Sequence, residues 1–353
     1  MKKFVAIVFI SFFLFSCSKK KVSFVTRVIN SVEIENIIED SLLNVRALEI
    51  GIGENPGFAT SNGEIGVLYL EGSKYIIEKE QLKYDTITPN FRSMSYKGCG
   101  IFSLSIVSPT LLYKSDVKGK SRVVYKEDHE KAFYDAIEFW NEKEGIAIGD
   151  PTDDCMSVII TRDAGESWHK LSCDILPKAM EGEAAFAASD TNIAIVGDKT
   201  WVATGGKSSR ILYSPDKGHT WEVFETPIVQ GLETTGMYSV DFYDELNGFA
   251  IGGDYTKPAD SSANKIRTQD GGKTWQLVAQ NQSPGYRSCV QYIPNRNGKE
   301  LVAIGFKGID YSNDSGLTWK HLSDEGFYTL RFLNDSIAYA AGNKRISKLT
   351  FKE

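Results

Sequence analysis

Four boxes of one pattern, TRDAGESW (161–168), SPDKGHTW (214–221), TQDGGKTW (268–275) and SNDSGLTW (312–319), constrain this chain more than any other feature. Each joins a hydroxyl, an acid two residues on, a glycine and a tryptophan. One such acid beside an aromatic would suggest catalysis, but a single reaction does not need its acid four times. The tryptophans recur at spacings of 53, 54 and 44 residues, a period characteristic of propellers and solenoids. A tight turn accounts for every position. The hydroxyl and carboxylate bond turn amides, the glycine takes a positive φ, and the indole covers the turn. Asp163, Asp216, Asp270 and Asp314 are therefore expected as structural staples.

A second register runs through the same region. Ahead of each box lies an apolar run ending near glycine: GIAIGD (145–150), NIAIVGD (192–198), GFAIGGD (248–254) and LVAIGF (301–306). Ahead of each run lies an opening segment with an aromatic near its start: FYDAIEF (133–139), AFAASD (185–190), YSVDFY (238–243) and YRSCVQY (286–292). NVRALEI (44–50), FRSMSY (91–96) and FYTLRF (327–332) fit that opening pattern too. Short runs rich in Val, Ile, Tyr and Phe, broken by Gly, Asn and Asp, predict strands. With the box strand each unit has four, and such units at this period make a β-propeller.

The predicted fold is all-β: a seven-bladed β-propeller of four-stranded antiparallel blades over residues 31–353. KSDVKGK (114–120) reads as a degraded box in the second unit. The last unit ends one strand short, which would leave an open edge. SVEIENII (31–38) is positioned to supply that strand, closing the ring with both ends of the chain.

The first residues, MKKFVAIVFISFFLFSC, carry two lysines, an apolar run from Phe4 to Phe15 and then Cys17. A spanning helix needs roughly 20 apolar residues, so this shorter run predicts a signal peptide over 1–16. LFSC resembles a bacterial lipobox, which implies lipidation of Cys17, a tether over 17–30, and an address in a bacterial cell envelope on the periplasmic side or the outer-membrane surface. Forty basic residues face 46 acidic ones, a net charge of −6, and no basic block suits nucleic acid. In an oxidising envelope the remaining cysteines, Cys99, Cys155, Cys173 and Cys289, permit disulfides. Cys155 and Cys173 stand nine residues either side of Ala164 in the hairpin turn, which predicts that they pair.

The boxes match the Asp-box, or BNR, repeat. Together with GEAAFAAS (182–189), GGDYTKP (252–258) and GYRS (285–288), the chain resembles bacterial relatives of the photosystem II stability and assembly factor propellers. That resemblance covers residues from about 31 onward and implies a non-catalytic protein-binding or assembly module with an arginine-lined patch. The repeat is shared with sialidases, so the alternative is a sialidase-like glycoside hydrolase or a glycan-binding protein. A ligand-free structural subunit is a third expectation. Some relatives carry an oxidoreductase label, but GIGENPG (51–57) has the wrong spacing for a dinucleotide fingerprint, and no cofactor is expected. No Arg-Ile-Pro of the sialidase type occurs. His129, His169, His219 and His321 are scattered, without metal-ligand spacing.

Propeller topology puts the boxes on one face, and puts the loops between second and third strands, with the blade-to-blade crossings, on the other. A protein or glycan ligand is expected on that second face, where GDPTDDC (149–155), GDKTWVATGGKSS (197–209) and GGDYTKPADSSAN (252–264) make long irregular loops. Arg46, Arg92 and Arg287 occupy matching places in three opening segments and are expected near the channel mouth. Their structural alternative is ordinary bonding between blades, with Asp135, Glu183 and Asp254 as possible neutralising partners. Asp150 and Asp254 read as either functional acids or loop caps, and Tyr255 and Lys257 as contacts or turn decoration.

Overall fold

The computed structural model describes residues 25–72, 74–98, 100–116 and 119–353. Cys17, with the signal and tether, lies outside the described residues, as does Cys99. Apart from a single 3₁₀ turn at Ile52–Glu54, the regular structure is strand. Among the described residues no helix is long and apolar enough to cross a membrane.

Four sheets are simple antiparallel meanders of four strands taken in chain order. The first contains Asn90–Lys97, Gly100–Ile106, Thr110–Asp116 and Ser121–Glu127. The second contains Tyr134–Phe139, Gly145–Gly149, Ser157–Thr161 and His169–Lys170. Ile193–Val196, Lys199–Ala203, Arg210–Ser214 and Glu222–Glu225 form the third, and Cys289–Tyr292, Leu301–Gly305, Gly308–Ser312 and Lys320–Ser323 the fourth. Thr235–Phe242, Gly248–Asp254, Lys265–Thr268 and Gln276–Leu277 make a similar set, widened by the short strands Gly205–Gly206 and Glu183–Ala184.

The sixth sheet has seven strands because Ser31–Ile50 serves two sets. Its first part, from Ser31 to Glu39, pairs with the C-terminal strand Asn343–Lys352, which continues to Ile337–Ala341 and Thr329–Phe332. Its last part, Val45 to Ile50, pairs with Pro56–Thr60, followed by Glu64–Glu71 and Lys74–Gln81. Both ends of the described chain thus meet in one ladder, and neither long terminal strand is left as an open edge.

The first strand of each set packs on the next: Ser31–Ile50 on Asn90–Lys97, that on Tyr134–Phe139, then Ile193–Val196, Thr235–Phe242, Cys289–Tyr292 and Thr329–Phe332, which returns to Ser31–Ile50. The core lies between neighbouring sheets. Ile304 and Val302 meet Leu330 and Ala340, while Trp201 and Ile211 meet Val240 and Ala250. Period-two alternation accounts for this, since each strand sends successive side chains to opposite neighbours.

One unit departs from the expected register. AFAASD (185–190) is not a strand, and the apolar run at Ile193–Val196 takes the innermost place instead. The segment is rich in small residues, Ala185, Ala187, Ala188 and Ser189. They let it turn inward and fill the space between the inner strands, as described below.

All four boxes are turns between a third and a fourth strand. At the first, the Thr161 hydroxyl donates to Asp163 Oδ1 (2.8 Å) and accepts from the Gly165 amide (2.9 Å). Asp163 also accepts from the Ser167 amide (3.0 Å) and the Ser167 hydroxyl (2.6 Å). Asp216, Asp270 and Asp314 repeat this set with Thr220, Thr274 and Thr318. The turn needs two successive left-handed residues, Ala164 with Gly165 in the first box and Ser315 with Gly316 in the last. Partial burial opposes ionisation of Asp163, but the Ser167 and Thr161 bonds outweigh it and hold the carboxyl near about 2. The other three box aspartates are likewise lowered.

Candidate functional site

At the end of the inner strands away from the boxes lies a depression of ≈ 530 Å³, the mouth. Its wall includes Arg46, Arg92, Asp150, Tyr238, Tyr255 and Tyr328. The local cause is a repeated irregularity in pairing. Register slips by one residue at Arg46, between Val45 and Ala47, and at Arg92, between Phe91 and Ser93. Matching slips fall at Asp135, between Tyr134 and Ala136, and at Tyr238, between Met237 and Ser239. A bulged residue leaves the alternation of its strand, and its side chain is re-aimed. Four inner strands thereby turn one side chain each toward this end of the molecule.

The mouth has a floor. Residues 186–191 cross between the inner strands and bond to most of them. Asp190 accepts from the amides of Met94 (2.7 Å) and Ile137 (3.2 Å), and its carbonyl accepts from Arg331 (2.9 Å). Ser189 donates to the Ser288 carbonyl (2.6 Å), and Thr329 donates to the Ser189 carbonyl (2.8 Å). The Thr191 hydroxyl reaches Ser239 Oγ at 2.8 Å. Ser189 is fully buried. The depression is therefore blind, and a ligand entering it meets this plug.

Arg46 donates to the Ala188 carbonyl (2.9 Å) and lies over the Tyr328 ring, 3.8 Å from its centroid. Its Nε is buried without a hydrogen-bond partner. Arg92 donates to Asn90 Oδ1 (3.2 Å) and weakly to the Ala187 carbonyl (3.4 Å). Among the described residues no carboxylate lies within ion-pair distance of either guanidinium. Burial, and then the Arg46 charge, bring Arg92 down to about 10, still cationic at neutral pH. Burial also lowers Arg46.

Two carboxyls stand behind the arginines. Asp135 is fully buried, neither oxygen makes a well-formed hydrogen bond, and burial with the nearby Asp150 charge raises it well above the usual carboxylate range. The Ala187 amide and Arg92 only partly offset this. Asp150 accepts from the Ala185 amide (2.8 Å) and is pushed by burial up to about 6.

The other expected site residues fall elsewhere. Arg287 is not at the mouth: buried in its own sheet, it donates through Nε to Asp310 Oδ2 (2.7 Å) and through Nη1 to the Tyr286 carbonyl (2.8 Å). Its charge is answered by Asp310, which His321 also contacts at 3.0 Å. Glu183 does not pair with the mouth arginines either; it holds the buried Arg210, whose Nε is 3.1 Å from Glu183 Oε1. Asp254 caps its loop, accepting from the Thr256 amide (3.0 Å) and hydroxyl (2.6 Å). Lys257 is exposed on that turn, whereas Tyr255, 47% exposed, borders the mouth.

Several mouth residues escaped sequence reasoning. Tyr286 and Tyr238 pack edge to face (4.8 Å between centroids), and Phe186 stacks on Tyr238 at 4.0 Å. Tyr328 follows Phe327 just as Arg92 follows Phe91, a signal that could have placed it. Exposed Tyr255 and Phe306 complete an aromatic rim.

Cys155 and Cys173 are joined in a disulfide, their Cα atoms 5.5 Å apart. Among the described residues the one group of His, Cys, Asp or Glu side chains close enough to share a metal is Asp154 with these two cysteines, and both sulfurs are already committed. Cys289 is free and buried.

No protein-family model matches the sequence, and no curated protein matches it. Solved structures do. YCF48 bound to D1 peptide superposes with a TM-score of 0.64 at 14% identity, covering 95% of this chain and 100% of the other. YCF48 from Cyanidioschyzon merolae gives 0.61 at 10% identity, with 90% and 98% covered. The WD40 β-propeller domain of Doa1 gives 0.62 at 8% identity, with 91% and 98% covered. Identities this low show the fold alone: the chain is a β-propeller.

Proposed function

We propose that this β-propeller is a non-catalytic assembly module that holds a polypeptide segment at its mouth, with an acidic group of that segment seated between Arg46 and Arg92. The carrying observation is a pair of half-buried guanidiniums, framed by exposed aromatics, without carboxylate partners among the described residues. Clustered like charges disfavour one another until an anion answers them, and arginine offers a paired donor fork for a carboxylate. A similar propeller, YCF48, has been solved bound to D1 peptide, which supports a polypeptide as the ligand class.

The successive packing of inner strands and the shared terminal ladder support seven four-stranded blades, with Asp-box turns on one face. Cys17 carries the lipid anchor in an envelope membrane, and Cys17→Ser should move the protein from the membrane to the soluble fraction.

The mouth is tested with arrayed acidic and basic peptides. Acidic peptides should bind wild type and be lost from the Arg46→Ala, Arg92→Ala double variant. Hydrolysis of 4-methylumbelliferyl glycosides by wild type, falling in Asp150→Asn, would overturn the non-catalytic reading in favour of a glycan-acting enzyme. No tyrosine at the mouth donates to a carboxylate among the described residues, so no activated tyrosine nucleophile supports that alternative.

A further inference from the structure

The junction between the sheet of Asn90–Lys97 and the set that ends in Lys74–Gln81 differs from those sealed by boxes. In a box, the pairing of Ile160 with His169, or of Tyr213 with Glu222, extended by one residue, puts the tryptophan opposite the first residue of the box. That tryptophan packs across the junction: Trp168 meets Phe102 of the preceding sheet (6.2 Å between centroids), and Trp319 meets Phe249 (5.7 Å). The box glycine presses on the same neighbour. A methyl group added at Gly165, Gly218, Gly272 or Gly316 would come within 2.1–2.8 Å of a side chain.

Among its described residues the degraded box keeps the turn and omits the seal. Ser115 pairs with Ser121, so a serine stands where the tryptophan stands elsewhere, in a turn one residue shorter. Ser121 is held by Ser115 Oγ (2.6 Å) and Glu80 Oε2 (2.7 Å). Gly119 has the left-handed φ of a box glycine, +75°, yet a methyl group there would meet nothing within 4 Å. Val117 and Lys118 of this turn lie outside the described residues. Beside it is a slot of ≈ 410 Å³ whose apolar side is Ile65, Val67, Tyr69, Tyr96 and Ile101 and whose polar side includes Glu78, Lys79, Glu80 and Asp116. Tyr96 forms part of its wall, and its hydroxyl is buried with no hydrogen-bond partner.

We propose that this slot is a second binding site, for an indole-sized planar aromatic ring, in the place the boxed junctions fill with their own tryptophan. The aliphatic and aromatic walls supply the ring's contacts. The Tyr96 hydroxyl supplies one hydrogen bond, as the Gly316 carbonyl does for Trp319 Nε1 (3.1 Å). The site is independent of the mouth.

Titration of 5-fluoroindole with the full chain in detergent, followed by fluorine NMR, tests this. Wild type should broaden the signal saturably. Ser121→Trp should abolish binding and melt higher, because the chain then fills its own slot. Tyr69→Ala, on an exposed wall and safe for folding, should bind at least about tenfold more weakly. The Arg46→Ala, Arg92→Ala variant should bind fluoroindole as wild type does, which separates failure of this site from failure of the mouth. Displacement by N-acetyltryptophanamide assigns the ring to a peptide side chain, and its failure to compete assigns it to a free small aromatic. Absence of saturable binding, or equal binding by wild type, Ser121→Trp and Tyr69→Ala, would overturn the proposal.

Discussion

The box turns and the mouth are both built from charged and polar side chains at repeated positions, and they differ in how far those groups are satisfied. Every box aspartate accepts from an amide and two hydroxyls of its own turn. At the mouth, Arg46 and Arg92 are half-buried without a carboxylate partner among the described residues, and Asp135 is buried without a well-formed hydrogen bond. A buried polar group left unsatisfied costs free energy. Saturated groups serve the fold, and unsaturated ones are where an external ligand has something to gain.

Arg287 sharpens this contrast most strongly, because it shares the opening pattern of Arg92 yet is neutralised. Removing one partner of a buried pair strands the other charge, at a cost of about 3–5 kcal/mol. Asp310→Ala should therefore lower stability by that amount in denaturant titration, while peptide affinity per folded molecule stays at the wild-type level. A melting point near wild type would contradict the assignment of Arg287 to the scaffold.

The converse change is next in size. Alanine at both Arg46 and Arg92 should weaken capture of an acidic peptide by about 2–5 kcal/mol, roughly thirtyfold or more, with little loss of thermal stability. Calorimetric titration beside a melting curve separates the two readouts. Asp270→Ala should do the opposite on a smaller scale. Losing its turn bonds costs on the order of 1–3 kcal/mol and leaves affinity alone; a variant that melts normally but no longer binds would break the comparison.

Titration provides the smallest and most specific contrast. Asp150 is raised to about 6, chiefly by burial, so between about pH 7 and the ordinary carboxylate range the folded protein takes up a proton that the unfolded chain does not. That group's contribution to stability grows as pH falls through this window, and the mouth becomes more positive. Affinity for an acidic peptide should rise a few-fold from about pH 7 to 5, and Asp150→Asn should flatten the rise. The box aspartates are lowered. Their contribution is complete above about pH 4 and declines below it as they protonate.

The fold was legible where physics repeats. A turn that needs Asp, Gly and Trp at fixed offsets writes the same letters each time, and a C-terminal unit one strand short points to the N-terminal segment. The register of AFAASD was not legible, because its small residues suit both a weak strand and a plug, and only the space between the inner strands decides. Arg46 and Arg92 reach the mouth from their shared position; Arg287 takes the structural alternative, because Asp310 answers its charge. A signal existed. Asp310 stands two residues before its box, where the other units carry Ile159, Leu212 and Ile266, and an acid at a buried apolar position demands a cation. The bulges that aim Arg92 and Tyr238 left no sequence mark, since a one-residue slip changes pairing without changing composition.

The central claim is that partners meet the mouth and not the boxes. Its most direct test places a photo-crosslinking benzoylphenylalanine at Tyr255, on the rim, or at Leu317, exposed in the last box, in the full-length protein in cells. The account predicts a discrete polypeptide adduct from position 255 that disappears when Arg46 and Arg92 are alanine, and none from position 317. An adduct from 317 with none from 255, or a 255 adduct indifferent to the two arginines, would contradict it.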